Sequence, residues 1–298
     1  MERKKASDFP PEVMELFDGY VHGTVSRRDF LDRAAAYTAG GMGAAAMLAS
    51  LSPNFAWAQQ VPKDDKRIKV ASVDYDSPKG SGRMRGYLAR PAKAGKAPGV
   101  VVIHENRGLN PYIEDVARRL AVAGYVAFAP DALAPLGGYP GDEDRARELF
   151  AKLDGAKRNE DLLAAYPVLE KRPECNGRIG ATGFCFGGGV VGLMATRLPG
   201  LRAAVPFYGD QPSAEDTAKI KAPLLIHYAE KDPRINAGWP AWEDALKLHD
   251  IRYQMYIYPG TQHGFHNDTT PRYDEAAAKL SWQRTVEFFN RNVKGGAG

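Results

Sequence analysis

The run Gly183-Phe184-Cys185-Phe186-Gly187-Gly188 places a cysteine at the apex of a G-x-nucleophile-x-G pattern. An apolar stretch over 178–183 precedes it, and a helix-forming stretch over 187–197 follows. A strand–turn–helix of this kind exposes its apex side chain at the positive end of a helix, where a thiolate is favoured. The turn is tight, so side chains two before and two after the apex would collide with neighbouring elements, and both positions are glycine. The backbone N–H of Phe186 would then face an oxyanion developing on an attacked carbonyl. A G-x-G pattern can also cradle a phosphate and a lone cysteine can be a buried hydrophobe, but a nucleotide-binding turn has no need of a cysteine at its apex.

A nucleophilic thiol needs a base, and the base needs a group that fixes its tautomer. Asp232 follows the apolar run 223–229, and His263 follows the run 255–258 within Pro259-Gly260-Thr261-Gln262-His263-Gly264-Phe265. The order nucleophile, acid, histidine is that of the α/β-hydrolase arrangement. Glu230 competes with Asp232 for the acid's place. A fourth candidate, Glu105, stands just past the apolar run 99–104 in His104-Glu105-Asn106-Arg107-Gly108, where an oxyanion loop belongs.

These four points need a scaffold that brings strand exits to one edge. The segments 68–75 and 84–89 alternate apolar with polar or small residues around Ser-Pro-Lys-Gly and predict an antiparallel hairpin. The continuous apolar run at 99–104 predicts a strand buried on both faces, and further strands are expected at 125–129, 178–183, 201–207, 223–229 and 253–258. Helices are expected between them at 111–123, 144–153, 159–170, 187–197 and 240–249, with a last one over 274–290. Asn110 supplies a cap and Pro111 a first-turn residue for the first of these. Repeated strand–helix units of this length predict an α/β-hydrolase fold, with a mostly parallel central sheet, helices on both faces and an N-terminal antiparallel hairpin. In such sheets ligands bind beyond the carboxyl ends of the strands.

The sequence resembles the dienelactone hydrolase family. The resemblance spans about residues 65–292 and rests on Glu105, Gly124-Tyr125, Ala129-Pro130-Asp131, the Cys185 elbow, Asp232 and His263-Gly264-Phe265. It implies Cys185 as nucleophile, His263 as base, Asp232 as orienting acid, and Glu105 in contact with the thiol, controlling its ionisation. It also implies an oxyanion hole from the Asn106 and Phe186 amides, and arginines that hold a substrate carboxylate, for which Arg107 and Arg272 are the candidates. Tyr208 and Phe265, with Tyr139, Trp239 and Trp242, are expected either in an apolar pocket wall or in ordinary loop packing. The implied reaction is hydrolysis of a carboxylic ester or lactone through a cysteinyl acyl-enzyme. The alternative is a non-hydrolytic binding or redox-responsive protein on the same fold.

The first 58 residues read as a leader, leaving one domain over 59–298. Ser26-Arg27-Arg28-Asp29-Phe30-Leu31 precedes an uncharged run from Ala34 to Leu51, and Ala56-Trp57-Ala58 offers a small-x-small cleavage site. A twin arginine, a weakly apolar stretch and this site predict twin-arginine export to the periplasm or outside. The run is mostly Ala and Gly, which argues against a stable membrane span, although a membrane anchor and a docked amphipathic helix remain alternatives.

Composition narrows the remaining options. With 44% hydrophobic and 26% charged residues the chain is globular, and a net charge of +4 without blocks of like charge gives no surface for nucleic acid. The partners expected are a small-molecule substrate and the export machinery, and no cofactor motif is present. Two cysteines cannot build a disulfide framework. Cys175 lies a strand's length from Cys185, too far to pair with it. His227, His263 and His266 lack the carboxylate-rich spacing of a metal site, so none is expected.

Overall fold

The computed structural model describes residues 4–38 and 42–295. Eight strands, β1 (Ile68–Ser77), β2 (Gly82–Pro91), β3 (Ala97–Ile103), β4 (Val126–Pro130), β5 (Cys175–Phe184), β6 (Ala203–Phe207), β7 (Leu224–Lys231) and β8 (Tyr253–Gln262), form one sheet. Its order is β1-β2-β4-β3-β5-β6-β7-β8. The hairpin β1–β2 is antiparallel, as its alternation requires, and β2 joins β4 antiparallel. From β4 to β8 every pairing is parallel. This is the α/β-hydrolase fold expected from the alternating strand and helix signals.

Helices cover both faces. They are α4 (Pro111–Val122), α5 (Glu143–Ala151), α6 (Gly155–Leu163), α7 (Ala165–Glu170), α8 (Phe186–Arg197), α9 (Ala214–Thr217), α10 (Pro233–Asn236), α11 (Trp239–Leu248) and α12 (Glu275–Phe289), after three N-terminal helices described below. Asn110 caps α4 through its side-chain oxygen, which accepts the Ile113 N–H. The single helix expected over 159–170 is two, α6 and α7. Pro167 has no N–H to give the ladder at that point, so the helix breaks and restarts. Val101, Ile103, Phe128 and Ala181 point into one apolar layer, while Val100, Val102, Ala127 and Phe184 point into the other. Central strands buried on both sides explain why they read as unbroken apolar runs.

The strand ends matter most. Strands β7 and β8 continue as a pair to Lys231 and Gln262, four residues beyond the apolar run that announced β8. That extension carries the next residue of each strand, Asp232 and His263, to the same edge.

The segment read as a leader folds against this domain in the full chain. Helix α1 (Pro11–His22), α2 (Arg27–Ala34) and α3 (Ala44–Leu51) share a small core of Val13, Phe17, Tyr20, Phe30, Leu48 and Leu51. Ser26 caps α2 in a reciprocal pair with Asp29. Backbone bonds then tie the unit down: Ala6 N–H to the Pro271 carbonyl at 2.8 Å and Asn54 N–H to the Thr269 carbonyl at 2.7 Å. The parts of the leader at 1–3 and 39–41 lie outside the described residues. No helix among the described residues is long and apolar enough to cross a membrane.

Candidate active site

Cys185 occupies the turn between β5 and α8 with φ 55° and ψ −118°, a left-handed conformation that a side-chain-bearing residue rarely adopts. Neighbouring structure enforces it. The Cys185 N–H binds the Phe207 carbonyl at 3.1 Å, locking the turn to β6. A Cβ at Gly183 would lie 2.3 Å from the Gly187 carbonyl oxygen, and one at Gly187 would lie 2.4 Å from that of Ile103. Only glycine fits at either place. Phe186 opens α8, so its N–H has no carbonyl of its own helix to bind and is left facing the turn.

His263 and Asp232 meet as their strand ends predict. The Nδ1–H of His263 donates to Asp232 Oδ2 at 2.6 Å, and both side chains are buried. Asp232 is itself anchored, because its other oxygen caps α10 through the Ile235 N–H. His263 Nε2 is buried and unpaired. Burial pulls the imidazolium down, yet the Cys185 sulfur and the Asp232 carboxylate outweigh it and raise the His263 pKa. Burial likewise raises the Cys185 thiol, while His263 and then His22 bring it well below its ordinary value. The two shifts have one cause, since a charge on either group favours the opposite charge on the other.

A cavity opens over Cys185 and His263, walled on the domain side by Glu105, Arg107, Asn267 and Arg272. Glu105 does not hydrogen-bond the sulfur: its Oε2 accepts from Asn267 Nδ2 at 3.0 Å. Burial, then the charge of Cys185, push its carboxyl up to about 7. Asp131 braces this wall, accepting the Leu109 and Leu133 N–H groups and so tying the loop after β3 to the loop after β4.

The opposite wall comes from α1 and α3, including Phe17, Tyr20, Val21 and Leu48. This segment occupies the groups expected to await a substrate. Arg107 donates to the Val21 carbonyl at 3.1 Å and faces Glu143 at 3.6 Å. Arg272 pairs with Asp18 at 3.3 Å, and Asn106 Nδ2 donates to the Val21 carbonyl. His22, at the end of α1, reaches the centre: its Nε2 is 3.7 Å from Cys185 Sγ, and its ring lies 4.8 Å from that of His263. Ligand atoms of His22, Cys185 and His263 all fall within 4.8 Å of one another. The Arg234 guanidinium, 2.9 Å from His22 Nε2, places positive charge on the lone pair that a cation would require. The trio is therefore a thiol between two imidazoles.

Two expected pocket residues lie elsewhere. Tyr208 and Phe265 are fully buried behind His263, packed ring to ring at 5.5 Å, and neither reaches the cavity. The strand exits after β6 and β8 turn inward and are covered by the chain that follows, so these aromatics became core. Tyr139 does line the cavity. Trp239 and Trp242 pack against each other on α11. His227 and His266 bind tyrosine hydroxyls of Tyr258 and Tyr112 in the core, and burial lowers both imidazoles. Cys175, at the far end of β5, is free. Asn267, Asp18, His22 and Arg234 escaped sequence reasoning. Asn267 alone carried a local signal, standing four residues past His263.

A dienelactone hydrolase family model matches residues 84–293, and a second, described as YqhI-like, matches residues 1–39. The "Putative hydrolase fragment YghX" of Escherichia coli is 57% identical over 114 residues, covering 38% of this chain and 97% of that one. A Bradyrhizobium protein named "Probable 2-oxo-3-(5-oxofuran-2-ylidene)propanoate lactonase" is 33% identical over 225 residues, covering 70% of this chain and 90% of that one. Among solved structures, a dienelactone hydrolase-like promiscuous phosphotriesterase from metagenomic libraries superposes with a TM-score of 0.66 at 27% identity, covering 76% of this chain and 99% of that one.

Proposed function

The chain belongs to the dienelactone hydrolase family, and from that premise we propose that it hydrolyses a small carboxylic ester or lactone through a cysteinyl acyl-enzyme. The observation that carries this reading is the buried Asp232–His263 pair beside a cysteine held in a strained strand-to-helix turn. In the reaction, the Cys185 S–H proton passes to an imidazole and the sulfur's electron pair forms a C–S bond to the acyl carbon. The carbonyl π pair moves onto oxygen, where the Phe186 and Asn106 amides receive it. Collapse breaks the C–O bond, and the leaving oxygen takes the imidazolium proton. Water then gives a proton to His263 Nε2 and attacks the thioester. The C–S bond breaks, the sulfur takes the proton held by His263, and the acid is released. Asp232 keeps His263 in the tautomer that presents Nε2 to the cavity.

The inclusion of lactones among the substrates draws on the family and on the Bradyrhizobium relative. The test is a burst titration with chromogenic acyl esters and lactones. One equivalent of leaving group per chain, lost in Cys185→Ala with the fold intact, is the expected result. A substrate turned over equally by both chains would refute the assignment.

We further propose that Arg27 and Arg28 direct twin-arginine export to the periplasm. That route carries domains already folded, which suits a fold whose strand pairings are long-range.

A further inference from the structure

We propose that His22, backed by Asp18, is a second imidazole partner of Cys185, so that in the full chain the N-terminal helix α1 completes the active site. This rests on Cys185 being the nucleophile of the reaction above and refines the route of its first proton. Cys185 Sγ lies within hydrogen-bonding reach of His22 Nε2, at 3.7 Å, as well as beside the His263 imidazole. His22 is held as His263 is held. Its Nδ1 donates to the Asp18 carbonyl at 2.8 Å and lies 3.3 Å from the Asp18 carboxylate. Asp18 is fixed in turn by Arg272 at 3.3 Å. Two Asp–His pairs therefore converge on one sulfur, one from the β7–β8 edge and one from α1.

The arrangement divides the work. The thiol proton goes to His22 Nε2, leaving a thiolate, and the leaving oxygen later takes that proton back. His263, whose side chain lines the cavity, removes the proton of the attacking water. When the C–S bond breaks, the sulfur accepts the proton held by His263, which restores the thiol and two neutral imidazoles. Charged groups facing this centre come from every neighbouring element: Asp18 and Arg272, Asp232 and His263, Glu105, and Arg234. Arg234 must leave Nε2 when the proton arrives. It is half exposed and already within 3.4 Å of Asp210, which gives its guanidinium a place to go. Burial disfavours charge on His22, but the hydrogen bond it donates to Asp18 and the Cys185 sulfur raise its pKa.

The test is alkylation of Cys185 by iodoacetamide across pH in the full chain, with adduct mass as readout, beside ester turnover. In His22→Gln the alkylation midpoint should rise by about one pH unit, an about tenfold slower reaction below the midpoint, and kcat should fall. Trypsin cleavage after Arg27 and Arg28 reports whether α1 stays docked. Should His22→Gln undock it, Asp18→Asn, which keeps the ring, decides by the same midpoint. An unchanged midpoint, or faster alkylation with unimpaired turnover, overturns the proposal, because His22 would then be only a cover. If no ester is turned over by any chain and the midpoint still rises, the pairing stands and the hydrolase reading falls.

Discussion

Asn267 Nδ2 donates to Glu105 Oε2 at 3.0 Å, bridging the loop after β8 to the loop after β3 within one wall of the site. The bond fixes a carboxyl that burial and the Cys185 charge raise to about 7, against 4.5 in the unfolded chain. Below pH 4.5 Glu105 is protonated in both states and nothing is at stake. As pH climbs from 4.5 to 7 the unfolded chain releases this proton first, so the folded state loses stability, and above 7 the whole loss is felt. Glu105→Gln keeps an acceptor for Asn267 and removes the ionisation. It should match wild type at pH 4 and be more stable at pH 8 by on the order of 1–2 kcal/mol, allowing for the open cavity. Thermal unfolding at the two pH values measures this; a difference that does not depend on pH contradicts it.

Cys185→Ser should fold normally and lose most turnover. The site lowers a thiol by pairing it with two imidazoles, and a serine hydroxyl starts several units less acidic, so it stays protonated there. Steady-state hydrolysis on the substrate found by burst titration measures the loss. Turnover within about threefold of wild type would mean that the site does not depend on a thiolate.

Asp232→Asn should cost on the order of 10³-fold in kcat, since an amide at Oδ2 no longer selects the Nδ1–H tautomer of His263. The pH profile should move as well. His263 is raised in part by Asp232, so the imidazole of the variant is free to accept a proton at lower pH and the acidic limb shifts down. An acidic limb that stays in place while kcat falls would show that Asp232 acts through geometry alone.

Much of the candidate site was legible because its members stand at or shortly past the ends of strands. Cys185, Asp232, His263 and Glu105 are strand exits, and a parallel sheet brings its exits to one edge whatever the loops do. The hairpin was legible for a similar reason, since alternation and a turn are local. Tyr208 and Phe265 were not, because exposure at a strand exit depends on what later chain covers it. His22 and Asp18 were hidden more deeply. They approach Cys185 across more than 160 residues of chain, from a segment whose composition speaks of targeting. No spacing rule joins them to a glycine elbow.

Replacing Arg27 and Arg28 together by Lys should hold the chain in the cytoplasm while leaving the domain folded. Cell fractionation with quantification of the chain in each compartment measures it. Periplasmic accumulation equal to wild type would remove the export reading.

Arg27 Nη1 lies 2.9 Å from Asp144, to which the Tyr20 hydroxyl also donates, while Arg28 is 91% exposed. Arg27 is thus held by another helix, whereas Arg28 faces solvent and pairs with Asp32 of its own helix at 3.9 Å. A receptor that reads both must draw Arg27 away from α5, and its apparent affinity falls by the fraction of chains in which the segment is released. Docking and delivery then compete for the same side chain. Loosening the segment, for instance by Asp144→Asn, would favour recognition at the cost of the roof over Cys185, and tightening it would keep the catalyst complete and at home.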